Sequence, residues 1–494
     1  MKNLLKSYVE KFNSDDVELY RQDIDNDQCL SWLGDNVPLV ELPDKTIEEI
    51  YYFRWWTFRK HLRSTEDGIV ITEFLPKVPW SGKHNTIIAA AGHHVSEAKW
   101  LKSCKKIIEN YLRFWLEEKG NTYLYSSWLI YSVYEYCKHI NDFTFGINNL
   151  PLLINFYQKT HEEHITETGL YWSIDGNDAM ECSISGSTVD LKSKKGIRPT
   201  LNSYMAANAF AISEFARLAG NNKLHQEYLE KFNVLKDKIN NNLYNDGFYK
   251  AYHIDNLDLI DFNNLPNAQN VRELLGFIPW IFNIPPKGRE EAFLQLKLSD
   301  GFLGEYGLYS AEKRHERFLF DMRHECLWNG YIWPFATTQT LNAIINLLDN
   351  YEQDYINKND FYSLLKTYAE SQYLIKDGGE KVCWIDEVKD PRTNLWSSRE
   401  LLRDWGWKEN LGGIERGKDY NHSTFCDLIL GGLLDIKSIN GNISVKPKIP
   451  DDWDYFKVDN LSLCGRLYTI IFDKNGNRYK KGNGLKIIEK TALK

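Results

Sequence analysis

Residues 198–220 read RPTLNSYMAANAFAISEFARLAG, and residues 243–252 read LYNDGFYKAY. In the first stretch Leu201, Tyr204, Met205, Ile212, Phe215 and Ala219 form one apolar stripe at helical spacing. Pro199 sits in the first turn, where its missing N–H costs little, and Gly220 stands in the C-terminal capping position. A second helix carries Leu224, Tyr228, Phe232, Leu235 and Ile239, and Asp246-Gly247 makes a turn after it. The pair predicts a helical hairpin, and the rest of the chain is read outward from it.

A mostly helical pattern runs from about residue 45 to 436. Segment 45–63 follows Pro43-Asp44 and places Ile47, Ile50, Tyr51, Arg54, Trp55 and Phe58 at helical spacing. Segment 93–118 predicts a long helix, with Gly120 after it. Segment 122–141 is apolar almost all round, which predicts burial on most sides. Further helices are expected near 268–282, 286–297, 334–348, 356–373 and 423–434. Eleven or twelve helices in successive hairpins can close into a double ring. The end of the chain differs. Residues 442–447, 455–461, 467–474 and 484–489 read as short strands, with turns at Asn475-Gly476 and Gly482-Asn483-Gly484. The expected organisation is an N-terminal extension (1–44), a helical domain (45–436) and a small β module (437–494).

Composition narrows the function. Hydrophobic residues make up 43% of the 494, enough for a large core. The formal net charge of -8 argues against nucleic acid as the main partner, because phosphate binding needs clustered Lys and Arg. No apolar run approaches the roughly 18 residues of a membrane helix, so no membrane partner is expected. The N-terminus, MKNLLKSYVEKFNSDD, has no continuous apolar stretch, and a cytoplasmic location is expected. Eight cysteines (29, 104, 137, 182, 326, 383, 426 and 464) form no Cys-x-x-Cys pair, so neither a zinc site nor a redox motif is signalled. His161-Glu162-Glu163-His164 is one residue short of the metalloprotease spacing, and no metal is expected. Gly-rich nucleotide loops and a Gly-x-Ser-x-Gly elbow are missing, and no cofactor is implied. The oligomeric state stays open. Aromatics make up 14% of the chain. Core packing explains many of them, and sugars stacking their C–H faces on the rings would explain others.

Two loops join carboxylates to aromatics. Residues 169–186, GLYWSIDGNDAMECSISG, hold Asp175, Asp178 and Glu181 behind Tyr171 and Trp172. Residues 380–396, EKVCWIDEVKDPRTNLW, hold Asp386, Glu387 and Asp390 between Trp384 and Trp396. The bland reading is that the rings plug the core while the acids face water. The chemical reading is glycoside cleavage, which needs one carboxylic acid to protonate the leaving oxygen and one carboxylate to activate water or attack the sugar. Burial against aromatics keeps the acid protonated near neutral pH.

Five stretches in order resemble the (α/α)6-barrel glycosidases related to mannosylglycerate hydrolase and glycoside hydrolase family 63. They are DAMECSISG, the hairpin above with its turn, CLWNGYIWPFATTQTL, WIDEVKDPRTNLW and RGKDYNHSTFCDLILGGLL. The resemblance implies a mostly α fold, an (α/α)6 toroid with the small C-terminal β module. It implies an inverting exo-acting glycoside hydrolase that releases a monosaccharide from an oligosaccharide or glycoside. Glu181 falls on the general acid, flanked by Met180 and Ser183, with Asp178 as the alternative. Glu387 falls on the general base, four residues before Pro391. Asn394 replaces the usual Gly after Thr393. Candidate substrate-binding residues are Trp80, Lys83, His84 and Asn85 in one short loop, then Trp172, Arg198, Trp328, Asn329, Gly330, Trp333, Trp384 and His422. Trp333 is read either as a stacking surface or as a core plug, and Gly330 as a point of close approach. Arg198 would pair with a catalytic acid or bind substrate, and His422 would do likewise or cap a helix. The competing readings are a phosphorylase, lyase or epimerase on the same barrel, or an inactive sugar-binding protein.

Overall fold

The computed structural model describes residues 1–253 and 270–490. The chain is mostly α, 44% helical. The deciding hairpin forms as Pro199–Leu218 and Asn222–Asn242. Gly220 follows the first helix at φ 74°, a left-handed conformation that glycine adopts without a Cβ penalty. Asn221 caps the second helix by accepting the N–H of Leu224.

Lys45–Phe58 begins where Asp44 accepts the N–H groups of Thr46 and Ile47. Every residue from Ile50 to Phe58 is buried, so this helix lies inside the molecule. It packs on Lys358–Ser371, which packs on Pro334–Asn350. Pro334–Asn350 meets Ile278–Ile281, which meets Pro199–Leu218. Leu129–Ile140 lies against Pro199–Leu218, and Ala91–Ala98 lies against Leu129–Ile140. Neighbour thus follows neighbour in a lateral series.

Several expected helices differ. The 93–118 segment breaks into Ala91–Ala98 and Cys104–Leu116, because the chain turns at 99–103 to bury Trp100, whose Nε1–H donates to Asp427 at 2.7 Å. The 268–282 segment shortens to a 3-10 turn, Leu274–Phe277, and one α turn, Ile278–Ile281; residues 268 and 269 lie outside the described residues. Only a 3-10 helix, Glu290–Leu296, occupies the 286–297 segment. Pro279 and the pair Pro285-Pro286 remove backbone donors here and keep these pieces short. The 423–434 segment widens into a π-helix over Leu428–Leu433.

The β module also reaches further than expected. An antiparallel sheet runs in the order Leu39–Glu41, Tyr455–Leu463, Arg466–Asp473, Gly484–Lys490. Its first strand comes from the segment read as an N-terminal extension, with Val40 opposite Val458. Two N-terminal helices, Lys2–Ser14 and Asn26–Asn36, were not expected; Leu5, Val9 and Phe12 bury the first against Lys45–Phe58. One apolar cluster runs from Leu5 through Trp55 to Val458 and Ile470. Among the described residues, no helix is long and apolar enough to cross a membrane.

Candidate active site

The loop carrying Glu181 is held by two acids that do not face the cavity described below. Asp175 is fully buried and accepts the N–H of Gly176 at 2.9 Å, the N–H of Cys182 at 3.0 Å and the Ser187 hydroxyl. Asp178 accepts Arg198 Nε–H at 2.7 Å and Ser126 Oγ–H at 2.6 Å. This tight anchoring forces Ala179 and Cys182, on either side of the Met180-Glu181 pair, to positive φ (55° and 63°), an uncommon conformation for residues with a Cβ. Glu181 itself has no such clamp. Burial pushes its carboxyl up to about 8, and the charges of Asp175 and Glu387 add to the shift.

The loop carrying Glu387 follows a small hairpin, Tyr373–Ile375 with Lys381–Cys383. It is tied to the 326–333 loop by paired backbone bonds between Lys389 and Ile332 (2.9 and 3.0 Å). Glu387 is buried and gripped from several sides. Arg416 donates Nε–H to Oε1 at 2.6 Å and Nη2–H to Oε2 at 2.8 Å, a bidentate pair. Ser398 Oγ–H donates to Oε2 at 3.2 Å, and Cys326 Sγ lies 3.6 Å from the same oxygen. Burial works against the Arg416 charge, but the Glu387 carboxylate more than offsets this and raises its pKa. Asp386 supports the loop by accepting the Glu387 N–H at 2.8 Å and Trp384 Nε1–H at 3.2 Å. Burial and the Glu387 charge push Asp386 up to about 7. Gly417 is required beside Arg416, because a Cβ there would collide with the Asp386 carboxylate.

Both glutamates line one cavity of about 230 Å³. Trp80, Phe74, Tyr125, Trp333 and Tyr420 supply its aromatic wall, and Glu73, Glu325, Arg416 and His422 its polar one. Glu73 is a third buried carboxyl. Tyr420 O–H donates to its Oε1 at 2.9 Å, while its Oε2 has no partner. Burial, with Glu387 and Glu181 adding, pushes it up to about 8. His422 approaches Glu73 at 3.7 Å, and burial holds its imidazole well below the usual range. Two carboxyl groups in unlike surroundings, inside an aromatic pocket, suit acid–base chemistry on a sugar.

Residues 83–423 match the model of the mannosylglycerate hydrolase MGH1-like glycoside hydrolase domain. The chain belongs to that family. A solved structure named as a sialidase is 35% identical, with a TM-score of 0.88 over 99% of this chain and 43% of its own. An uncharacterized protein of Borreliella burgdorferi (strain ATCC 35210 / DSM 4680 / CIP 102532 / B31) is 31% identical over 157 residues, 31% of this chain and 29% of its own. The GH78 family rhamnosidase of Bacillus sp. GL1 has a TM-score of 0.55 at 13% identity, covering 89% of this chain and 40% of its own, which is a likeness of fold. The chain therefore spans less than half the length of the sialidase and under a third of the Borreliella protein.

In this glycoside hydrolase domain, the structure brings Glu181, Glu387, Trp80, Trp333 and His422 to the cavity. The remaining sequence candidates lie outside its lining. Asp178 and Arg198 form a buried ion pair with each other. Lys83 pairs with Glu66 and Asp67, and His84 Nε2 meets Asp67 at 2.7 Å, because this side of the loop faces the surface. Asn85 is occupied in the loop itself, donating to the carbonyls of Phe74 and Pro76 and accepting the Val78 N–H, which shapes the turn that presents Trp80. Trp172 lies under Lys195 Nζ at 3.8 Å and beside His164. Trp328 stacks behind Trp333 at 4.4 Å. Asn329 Nδ2–H donates to the Phe320 carbonyl at 2.8 Å. Gly330, at φ 123°, makes room for the Phe318 ring rather than for a ligand. Trp384 packs with Arg399 and Lys418.

Glu73, Tyr125, Cys326 and Tyr420 were not singled out from sequence. Arg416 opens the stretch RGKDYNHSTF and was not singled out either. An Arg-Gly pair beside aromatic and His residues was the available signal for Arg416; Glu73, in a short run between a strand and the Trp80 loop, offered none. The His161–His164 pair is accounted for locally, since each Nδ1 bonds a neighbour, Tyr171 Oη and the Trp172 carbonyl, both at 2.9 Å.

Proposed function

We propose that the chain is an inverting, exo-acting glycoside hydrolase on an (α/α)6 barrel formed by residues 45–436, which releases a monosaccharide from an oligosaccharide or glycoside. The observation that carries this reading is the contrast between two carboxyls on one cavity. Glu181 is desolvated and raised to about 8, as a proton donor working near neutral pH requires. Glu387 sits in a two-pronged grip from Arg416, the contact made by a carboxylate. Glu181 protonates the glycosidic oxygen as the bond to the anomeric carbon breaks. Glu387 takes a proton from a water on the opposite face of the ring, and the hydroxyl oxygen bonds to the anomeric carbon. Trp80 and Trp333 offer rings for the sugar's C–H faces, and Glu73 with its free Oε2 offers a hydroxyl partner.

A hydrolysis screen over aryl glycosides and disaccharides, followed by proton NMR of the first-formed product, tests this reading. The product anomer is expected to be opposite to that of the substrate. First-formed product with the substrate's anomeric configuration would rule out inversion, and no turnover across the screen would count against the hydrolase itself.

A further inference from the structure

The cavity holds acids in excess of cations. Glu73, Glu181, Glu325 and Glu387 line it, and Arg416 is the one Lys or Arg among the described residues that do. That guanidinium is fully engaged. Nε and Nη2 donate to the two oxygens of Glu387 at 2.6 and 2.8 Å. The second Nη2 donor faces Cys326 Sγ at 3.8 Å. Nη1 donates to the Leu411 carbonyl at 3.0 Å and faces Glu325 Oε1 at 3.4 Å. An arginine has five N–H donors, and each of these has a protein acceptor. Its flat face is covered as well, 4.9 Å from the Trp80 ring centroid.

The imidazoles do not replace it. His324 Nδ1 accepts the Cys326 backbone N–H at 3.0 Å, and its Nε2 lies 3.9 Å from Glu325. His422 is held neutral by burial. Residues 254–269 contain no Lys, Arg or His, so no cation comes from that stretch of sequence.

We infer that this site takes glycosides that are uncharged in the portion entering the cavity, and that it turns away the carboxylate-bearing counterparts of the same sugars. The inference rests on the glycosidase reading above and narrows its substrate class. A carboxylate leaving water needs charged or N–H donors in exchange. Here it would meet Glu325 and Glu387 with no free donor cation, and like-charge juxtaposition is strongly unfavourable. A hydroxyl has no such difficulty. It can donate to a carboxylate, accept from a protonated carboxyl, and leave the ring's C–H face to Trp80 or Trp333.

Matched pairs test this: hexosides against hexuronides with one aryl leaving group, in gluco, galacto and manno configurations, and glycosyl-glycerol against glycosyl-glycerate. The carboxylate members are expected to show kcat/KM lower by roughly 100-fold or more. A ratio under about tenfold, or a preference for the carboxylate member, overturns the inference while leaving the glycosidase reading in place. If no member is turned over, the glycosidase reading falls. The charge inference is then decided by titrating free hexoses and hexuronates against the protein's tryptophan fluorescence. Weaker binding of the hexuronates by about tenfold or more upholds it; equal or tighter hexuronate binding, or binding of neither, overturns it. Glu325→Gln is the second handle. It should raise the rate on carboxylate members relative to neutral ones by about tenfold, and an unchanged ratio counts against the inference.

Discussion

The two carboxylate loops solve opposite problems with similar residues. Around Glu181 the neighbouring acids, Asp175 and Asp178, turn away and hold the loop, which leaves Glu181 desolvated and without a cation of its own. Around Glu387 the support comes to the carboxylate itself, from Arg416 and Ser398. One glutamate is thus left desolvated with a raised pKa and the other is gripped by an arginine, both lining the same cavity. The role follows from the environment rather than from the residue type.

The comparison breaks most sharply at Glu387. Glu387→Gln should lower turnover of glycosides by about 10²–10⁴-fold, because the proposed general base is gone. Steady-state kinetics with a matched thermal melt would separate this from unfolding. Arg416→Lys should cost less, about 10–100-fold in kcat, because a point charge replaces a bidentate fork. Wild-type kcat in that variant would mean that the grip on Glu387 has no catalytic consequence.

On the acid loop, Asp178→Ala tests support rather than chemistry. It removes the ion-pair partner of the buried Arg198 guanidinium, leaving its Ser183 and Ser185 contacts, and should destabilise the fold by about 3–5 kcal/mol. Denaturant unfolding would measure this, and a loss below about 1 kcal/mol would show that the pair is dispensable. A smaller effect is expected from pH. Glu181 and Glu73, raised to about 8, and Asp386, raised to about 7, hold protons in the folded state that the unfolded chain releases above its ordinary carboxyl pKa. At these three groups the folded protein holds more protons than the unfolded chain up to about pH 8, so their contribution to stability falls as pH rises; below about pH 6.5 the buried histidines His61, His93, His94, His139 and His422, held below the usual imidazole range by burial, act in the opposite sense. From about pH 6.5 to 8.5, where those histidines are neutral folded or unfolded, the melting temperature should fall further in the wild type than in Glu181→Gln, by about a degree or more. An equal drop in both proteins would remove Glu181 as a contributor.

The helical hairpins were legible because each carries its own period and its own punctuation, such as Pro199 and Gly220 around one stripe. The two acid loops stood out because their mixture of acids and rings has no use as a plain connector, and the family resemblance then pointed to Glu181 and Glu387 among their carboxylates; both line the cavity. What remained hidden depends on partners far away in sequence. Arg416 meets Glu387 across 29 residues, and Glu73 meets Tyr420 across 347. The strand Leu39–Glu41 has no meaning until Tyr455–Leu463 pairs with it. Lys83 and His84 looked like sugar ligands by residue type, but nothing in their local spacing revealed that Glu66 and Asp67 would claim them.

The assignment of unlike roles to the two glutamates is tested most directly by one pair of variants on two leaving groups. Glu181→Gln and Glu387→Gln are assayed on an ordinary glycoside and on the matching nitrophenyl glycoside or glycosyl fluoride. Both variants should be nearly inactive on the first. On the activated substrate, where departure needs little protonation, Glu181→Gln should recover much of its turnover while Glu387→Gln should not, because attack by water is still unassisted. Equal behaviour of the two variants on both substrates, or recovery by Glu387→Gln alone, would contradict the assignment.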